Sequence, residues 1–177
     1  MSDDLILQRR AAHLARQIEH ASTATPTNGA LAIAVRIGEQ QYAFPLAGVL
    51  RAVIIPSVTP LPHVPALVLG LGASDGDVLA VFDGSVWIGG ARRVQRELVP
   101  TLILGSARGT LALAVDELVG LTLIDETLSR APGSPAWLDG LTREGVLVVR
   151  VATLLQDPVF ALGQPVEGAV DDDHQED

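Results

Sequence analysis

The sequence predicts an internally duplicated all-β chain: two small β-barrels of about five strands each, sharing one core. Three observations carry this reading. Hydrophobic residues make up 48% of the chain but aromatics only 3%, so the interior must be built from Val, Leu, Ile and Ala, and β-branched side chains favour strands. From residue 31 onward, short apolar runs alternate with Gly and Pro at close intervals, the spacing of strands and turns. Finally, one order of sequence blocks occurs twice.

The elements follow in chain order. Residues 4–20 read as a helix. Leu7, Ala11, Leu14 and Ile18 fall on one helical face, and Asp3 and Asp4 complement a helix N-terminus. Ala21–Ala30 is a linker broken by Pro26 and Gly29, so residues 1–30 form a unit of helix and linker. Leu31–Ile37 and Gln41–Leu46 read as paired strands around a Gly38-Glu39-Gln40 turn. Further strands are expected at Gly48–Ile55, Val78–Val81, Val99–Leu104, Thr110–Val115, Leu118–Ile124 and Val146–Val151, with a short helix at Ala91–Glu97. Residues 31–160 form the folded body. Residues 161–177 form an acidic tail, whose composition from Val166 predicts disorder.

The duplication is visible in three blocks. Pro65-Ala66-Leu67-Val68-Leu69-Gly70-Leu71 returns as Pro135-Ala136-Trp137-Leu138-Asp139-Gly140-Leu141, 70 residues on. The hairpin and strand of 31–53 return at 100–122, an offset of 69. Val78-Leu79-Ala80-Val81 matches Val146-Leu147-Val148-Val149 at 68. The order hairpin, strand, Pro-Ala loop, strand therefore repeats. Neither half is large enough to bury its apolar surface alone, so the two would share a core about a pseudo-two-fold axis.

Composition excludes several functions. There is no cysteine, hence no disulfide and no thiolate metal site. The net charge of −9 divides unevenly: the acidic excess is three within 31–160 and six in the tail. Lysine is absent and no basic stripe exists, which disfavours nucleic-acid binding. The N-terminus lacks a secretory leader, and no apolar run reaches the length of a membrane helix. A cytoplasmic protein without membrane insertion is expected.

Catalytic motifs fail on context. Gly72-Ala73-Ser74-Asp75-Gly76 fits the Gly-x-Ser-x-Gly pattern. That elbow needs a helix after it and a histidine downstream, whereas a strand is expected at Val78 and the only later histidine is His174. His13, His20 and His63 form no ligand-spaced cluster. Asp116 and Glu117 point to opposite faces of a strand. The expectation is a non-enzyme with no cofactor and no metal. An enzymatic or ligand-binding barrel would need a closed polar pocket, for which the sequence offers no constellation.

The repeated blocks resemble the CheW-like domain, an adaptor module of bacterial chemosensory arrays. The residues that carry the resemblance are Val58-Thr59-Pro60-Leu61-Pro62, Pro65 and Gly70-Leu71 in the first half. In the second half they are Val115-Asp116-Glu117-Leu118-Val119, Trp137-Leu138-Asp139-Gly140-Leu141 and Leu154-Leu155. The resemblance implies two five-stranded SH3-like barrels and a role linking chemoreceptor tips to the regulatory domain of a CheA-type histidine kinase. Family position points to Val49, Arg51, Asp75, Gly76 and Val78 in the first barrel as partner-binding residues, and to Val115, Asp116 and Leu118 in the second.

Two positions depart from the family pattern. Where the family shows Asn-Leu-Arg-Gly after its Gly-Val, this chain has Gly72-Ala73-Ser74-Asp75-Gly76, with Asp75 at the arginine's place. Where the family favours Glu, it has Arg51. Both signs are reversed, which suggests a swapped ion pair between Arg51 and Asp75 and puts binding to standard receptors in doubt. The alternative function is therefore a divergent accessory or capping subunit that binds kinase but not receptors, or that acts in a pilus or other pathway.

Overall fold

Eleven strands in two sheets make up most of the computed structural model, which describes residues 29–92, 97–106, 109–124 and 128–160. The expected helix at 4–20, the centre of the expected helix at Ala91–Glu97 and the acidic tail lie outside the described residues.

The first half opens with a hairpin, β1 (Ala30–Ile37) and β2 (Gln40–Pro45). Gly38, at φ +63°, makes its turn. A 3-10 turn at Leu46–Gly48 leads to β3 (Val49–Ile55), β4 (Val58–Thr59), β5 (Val68–Ser74), β6 (Asp77–Asp83) and the short helix α1 (Gly84–Trp87). The second half repeats the plan with β7 (Val99–Ser106), β8 (Gly109–Ala114), β9 (Glu117–Ile124), β10 (Leu138–Leu141), β11 (Leu147–Val149) and α2 (Val151–Leu154).

The halves exchange their hairpins. One sheet runs β10-β11-β2-β1-β9, and the other runs β3-β7-β8-β6-β5-β4. Each sheet is thus built on the hairpin of one half and the later strands of the other. The registers repeat as well. Ala30 pairs with Ile124 and Val99 with Ile55, where 99 − 30 and 124 − 55 both equal 69. Six of the seven β1–β9 pairs map onto the six β7–β3 pairs by this shift, down to a bulge that skips Val119 in one ladder and Leu50 in the other. A bulge reproduced at equivalent positions is a built-in feature of the backbone.

The loops between strands repeat too. The Val68 N–H donates to Pro65 O at 2.9 Å, and the Leu138 N–H to Pro135 O at 3.0 Å. Asp83 N–H reaches Leu67 O and Arg150 N–H reaches Trp137 O, both at 2.7 Å. The expected Pro-Ala loops are therefore only turns, because Val68 and Leu138 already begin strands. Gly70 disguised the first of these. A Cβ there would lie 2.0 Å from the Thr59 carbonyl oxygen, so β4 can cross β5 only over a glycine.

Two further expectations are corrected. The last strands correspond at an offset of 67 rather than 68, since Gly70↔Val81 answers to Gly140↔Val148. The hairpin beyond Leu141↔Leu147 is three residues shorter than the one beyond its counterpart Leu71↔Ala80, which moves the alignment by three from the preceding offset of 70. The sheets also hold five and six strands rather than five each. Val58–Thr59 makes a two-residue ladder with β5, while its counterpart in the second half makes a single bridge, Ser129↔Leu141.

Three buried clusters result. Ile55, Val58, Val81, Val99, Ala112 and Ala114 fill the six-stranded sheet's own curl. Ala32, Ala43, Ile124 and Val148 fill the other. The largest cluster lies between the sheets and draws on both, from Val35, Ile37 and Phe44 to Leu102, Leu113 and Leu154. The central strands are covered on both faces, which is why they read as unbroken apolar runs.

Five of the six aromatic residues join in one chain of contacts across that interface. Trp87 lies 4.5 Å from Trp137 between ring centroids, 6.0 Å from Tyr42 and 6.5 Å from Phe160, and Phe160 meets Phe82 edge-on at 5.2 Å. Trp87 follows the six-stranded sheet, while Tyr42 belongs to the five-stranded one. Aromatic pairs add about 0.5–1.5 kcal/mol beyond area burial. Trp87→Ala is expected to cost about 3 kcal/mol, the low end for a large aromatic because Trp87 is only half-buried. Urea unfolding read by circular dichroism measures this. Burial also raises the Tyr42 pKa above its ordinary value. The neutral phenol is thus favoured in the fold, and its contribution is complete below about pH 10 and lost as pH rises beyond. Alkaline unfolding curves of Tyr42→Phe should lack that loss.

Candidate partner-binding surface

Arg51, on β3, donates from Nη1 to Asp75 Oδ2 at 2.6 Å and from Nη2 to Asp77 Oδ2 at 3.4 Å. The two acids flank the turn between β5 and β6. Ser74 pairs with Asp77 there, leaving Asp75-Gly76 as a two-residue loop. Both loop residues have positive φ, +51° and +86°. Asp-Gly is the sequence that such a primed hairpin turn favours. The Gly72-x-Ser74-x-Gly76 stretch is therefore a strand and its hairpin turn, with Ser74 Oγ donating to Asp75 Oδ2 at 3.3 Å.

This ion pair crosses a seam. In sheet order β3 stands at one end and β5 is next to the other end. The sheet must curl for Arg51 to reach Asp75. Gly72 permits the approach, since a Cβ there would lie 2.9 Å from Ile55 Cγ2 on β3. The expected swapped pair is present and latches β3 to the turn.

The other expected residues divide by position. Val78 stands beside the turn, 69% exposed, opposite Ala73. Val49 is half-buried against the shared core. Its second-half counterpart is Leu118: Val49 pairs with Leu104 and Leu118 with Val35, each 69 residues apart from its equivalent. Asp116 clamps the first hairpin. Its N–H donates to Arg36 O at 2.9 Å, and its Oδ2 accepts from the Gly38 N–H at 2.7 Å. Val115 is wholly buried in the shared core, so it packs and presents no side chain to the surface. The structure therefore groups Arg51, Asp75, Gly76 and Val78 at one seam and places Asp116 and Leu118 at a separate junction between hairpin and β9.

Beside that junction, Arg36 Nη2 donates to Glu117 Oε2 at 2.6 Å, tying β1 to β9. The hydrogen bond and charge of Glu117 push the guanidinium pKa further upward.

Sequence reasoning missed two apolar strips. On β3, Leu50 and Ile54 are 58% and 57% exposed, with Ala52 exposed between them. On β9, Val119, Leu121 and Leu123 occupy the equivalent places and are exposed too. Leu31, opposite Leu123, extends the second strip onto β1. β3 and β9 are each the end strand of a sheet. The signal was the alternation within Val49–Ile55, masked because apolar residues occupy both faces.

An open groove of about 320 Å³ lies between β6, β8 and the C-terminal turn, lined by Leu79, Phe82, Leu111, Leu155 and Phe160 among others, with no titratable side chain. Among the described residues no group of three or more His, Cys, Asp or Glu could hold a metal ion. No described helix is long and apolar enough to cross a membrane.

A family model described as CheW-like domain matches residues 32–159. A solved structure, the scaffolding protein TtCheW from Thermoanaerobacter tengcongensis, has a similar fold: TM-score 0.59 and 19% identity, covering 68% of this chain and 88% of that one. No curated protein matches the chain.

The latch is partly exposed on both sides, at 36% and 66% for the Arg51 and Asp75 side chains, so solvent screening keeps its contribution small. Arg51→Ala is expected to destabilise by about 0.2–1 kcal/mol. A urea double-mutant cycle of Arg51→Ala with Asp75→Ala should return a coupling of about 0.2–1 kcal/mol.

Proposed function

The chain belongs to the CheW-like domain family, and from that premise we propose that it is a non-enzymatic chemosensory adaptor coupling chemoreceptors to the regulatory domain of a CheA-type histidine kinase. The observation that carries this is the family match across nearly the whole described body. In this reading the two curled sheets are SH3-like barrels related by a pseudo-two-fold axis. The protein works in the cytoplasm, where kinase and receptor tips meet.

The duplicated frame supports the reading. It places related apolar strips on two end strands, and the strips differ in sequence and in surroundings. Two related but unequal faces suit a bridge between different neighbours, and such faces favour head-to-tail assembly over isologous pairing. Val49, Arg51, Asp75, Gly76 and Val78 are the residues proposed to meet one partner, with Asp116 and Leu118 meeting another. Val115 supports its face from within.

The latch favours a second reading, that of an accessory or capping subunit that binds kinase but not standard receptors. Arg51 and Asp75 are committed to each other at 2.6 Å with signs opposite to the family pattern. A partner shaped for the usual signs meets like charges here, and like-charge juxtaposition selects against binding. Co-sedimentation with receptor arrays and kinase separates the readings. Adaptor function predicts that the chain pellets with both, the accessory role predicts kinase alone, and recovery with neither overturns the proposal.

A further inference from the structure

The duplication gives the fold two equivalent seams, and only the first is closed. In the first half, β5 and its hairpin turn lie across the free edge of β3. Arg51 reaches Asp75 at 2.6 Å, and Gly72 lets the strands approach, since a Cβ there would sit 2.9 Å from Ile55 Cγ2. In the second half each of these parts is missing. Gly120 stands for Arg51, and Thr142, at the offset of 70, stands for Gly72. The second hairpin closes at Thr142, whose N–H donates to Val146 O at 2.9 Å and whose Oγ1 accepts from the Val146 N–H at 3.2 Å. It has no counterpart of the turn that carries Asp75. β3 and β5 meet along their seam, whereas β9 and β10 scarcely approach each other.

The edge left bare is that of β9. Among the described residues, β1 is the one strand that pairs with it. From Gly120 to Ile124 the register with β1 runs through five consecutive pairs without a break. Every second residue of such a strand turns its N–H and C=O away from the paired neighbour. No other backbone group of the described residues bonds to that side. Leu118–Ile124 also carries no charged side chain, the device by which sheets commonly guard an edge. Leu121 and Leu123 are exposed beside it, and a Cβ at Gly120 would meet nothing within 4 Å.

We infer that the edge of β9 receives an extended segment of another protein, which adds to the five-stranded sheet as a further strand. The first half shows what this seat takes, because its own edge is covered by a strand and its turn. β9 and β10 are the two ends of one curled sheet, so the seam between them admits a single strand rather than the whole sheet of a second copy. Main-chain hydrogen bonds along Gly120–Ile124 hold the segment, and its side chains set the choice. An uncharged edge selects an uncharged segment, with branched or aromatic residues at every second position beside Leu121 and Leu123. The space at Gly120 accommodates a large one. This stands on the comparison of the two seams and not on the adaptor reading.

Panning a phage-displayed library of random peptides, each of about twelve residues, on the full chain tests this. The enriched peptides should alternate apolar and polar residues, and a synthetic copy of one should bind. Leu121→Lys should weaken that binding at least about tenfold, while Ala52→Lys, at the equivalent place on β3, should change it less than about twofold. Both positions are exposed, and circular dichroism checks that both variants fold. A second measurement leaves the protein untouched. N-methylation of the peptide at the alternate residues that face β9 should weaken binding at least about tenfold, and methylation of the residues between them should not. The absence of any enriched peptide would mean that the edge takes no strand from outside. A dimer in sedimentation that Leu121→Lys breaks would make the occupant a second copy. Equal loss in the two lysine variants, indifference to N-methylation, or apolar residues at helical spacing would mean that another surface binds. Each of these results overturns the inference.

Discussion

Each sheet of this protein is completed by a hairpin from the other half of the chain, and everything else follows from that exchange. β1 and β2 lie beside β9 and β11, while β7 and β8 lie between β3 and β6. A half on its own would hold a hairpin with no sheet to join and later strands with no hairpin to close them. The buried clusters show why the exchange is stable. Each curl holds only a few side chains of its own, and the largest cluster belongs to both sheets at once. A sequence with few aromatics places five of its six along that shared boundary, where one large side chain contacts elements from both halves.

The duplication holds in the backbone and is broken at the surface. Ladders, bulges and turn hydrogen bonds repeat with fixed offsets. The latch does not. Gly120 takes the place of Arg51 in the second half, and the hairpin that would carry the second Asp75 is three residues shorter, with Gly145 in its turn at φ +82°. Backbone geometry is held by hydrogen bonds common to both halves, whereas exposed side chains are free to differ. An adaptor gains from this combination: one frame, stabilised once, offers two faces that need not bind the same neighbour.

Much of this was legible in the sequence. The hairpins and the offsets of 69 and 70 follow from residue order, and the Arg51–Asp75 pair follows from two departures from the pattern of the family that the chain resembles. The exchange was not legible, because a repeat reports which segments are alike and not which sheet each joins. The strands β5 and β10 were hidden by glycines whose role is close backbone approach, as at Gly70. The final offset was missed because a hairpin shortened by three residues leaves no signature of its own. Among the expected binding residues, Val115 looked the same as half-buried Leu118, although it directly follows β8. Burial on both faces of β8 removes the polar alternation that would have marked it as core.

Native-state hydrogen exchange under increasing denaturant tests the exchange of hairpins most directly. The slowest amides of β1, in the five-stranded sheet, and of β8, in the six-stranded sheet, should open with one free energy and one denaturant slope, both equal to those of global unfolding. If the slow amides of one sheet exchanged through a cheaper opening with a smaller slope while the other sheet stayed closed, the two would be independent units and this account would be wrong.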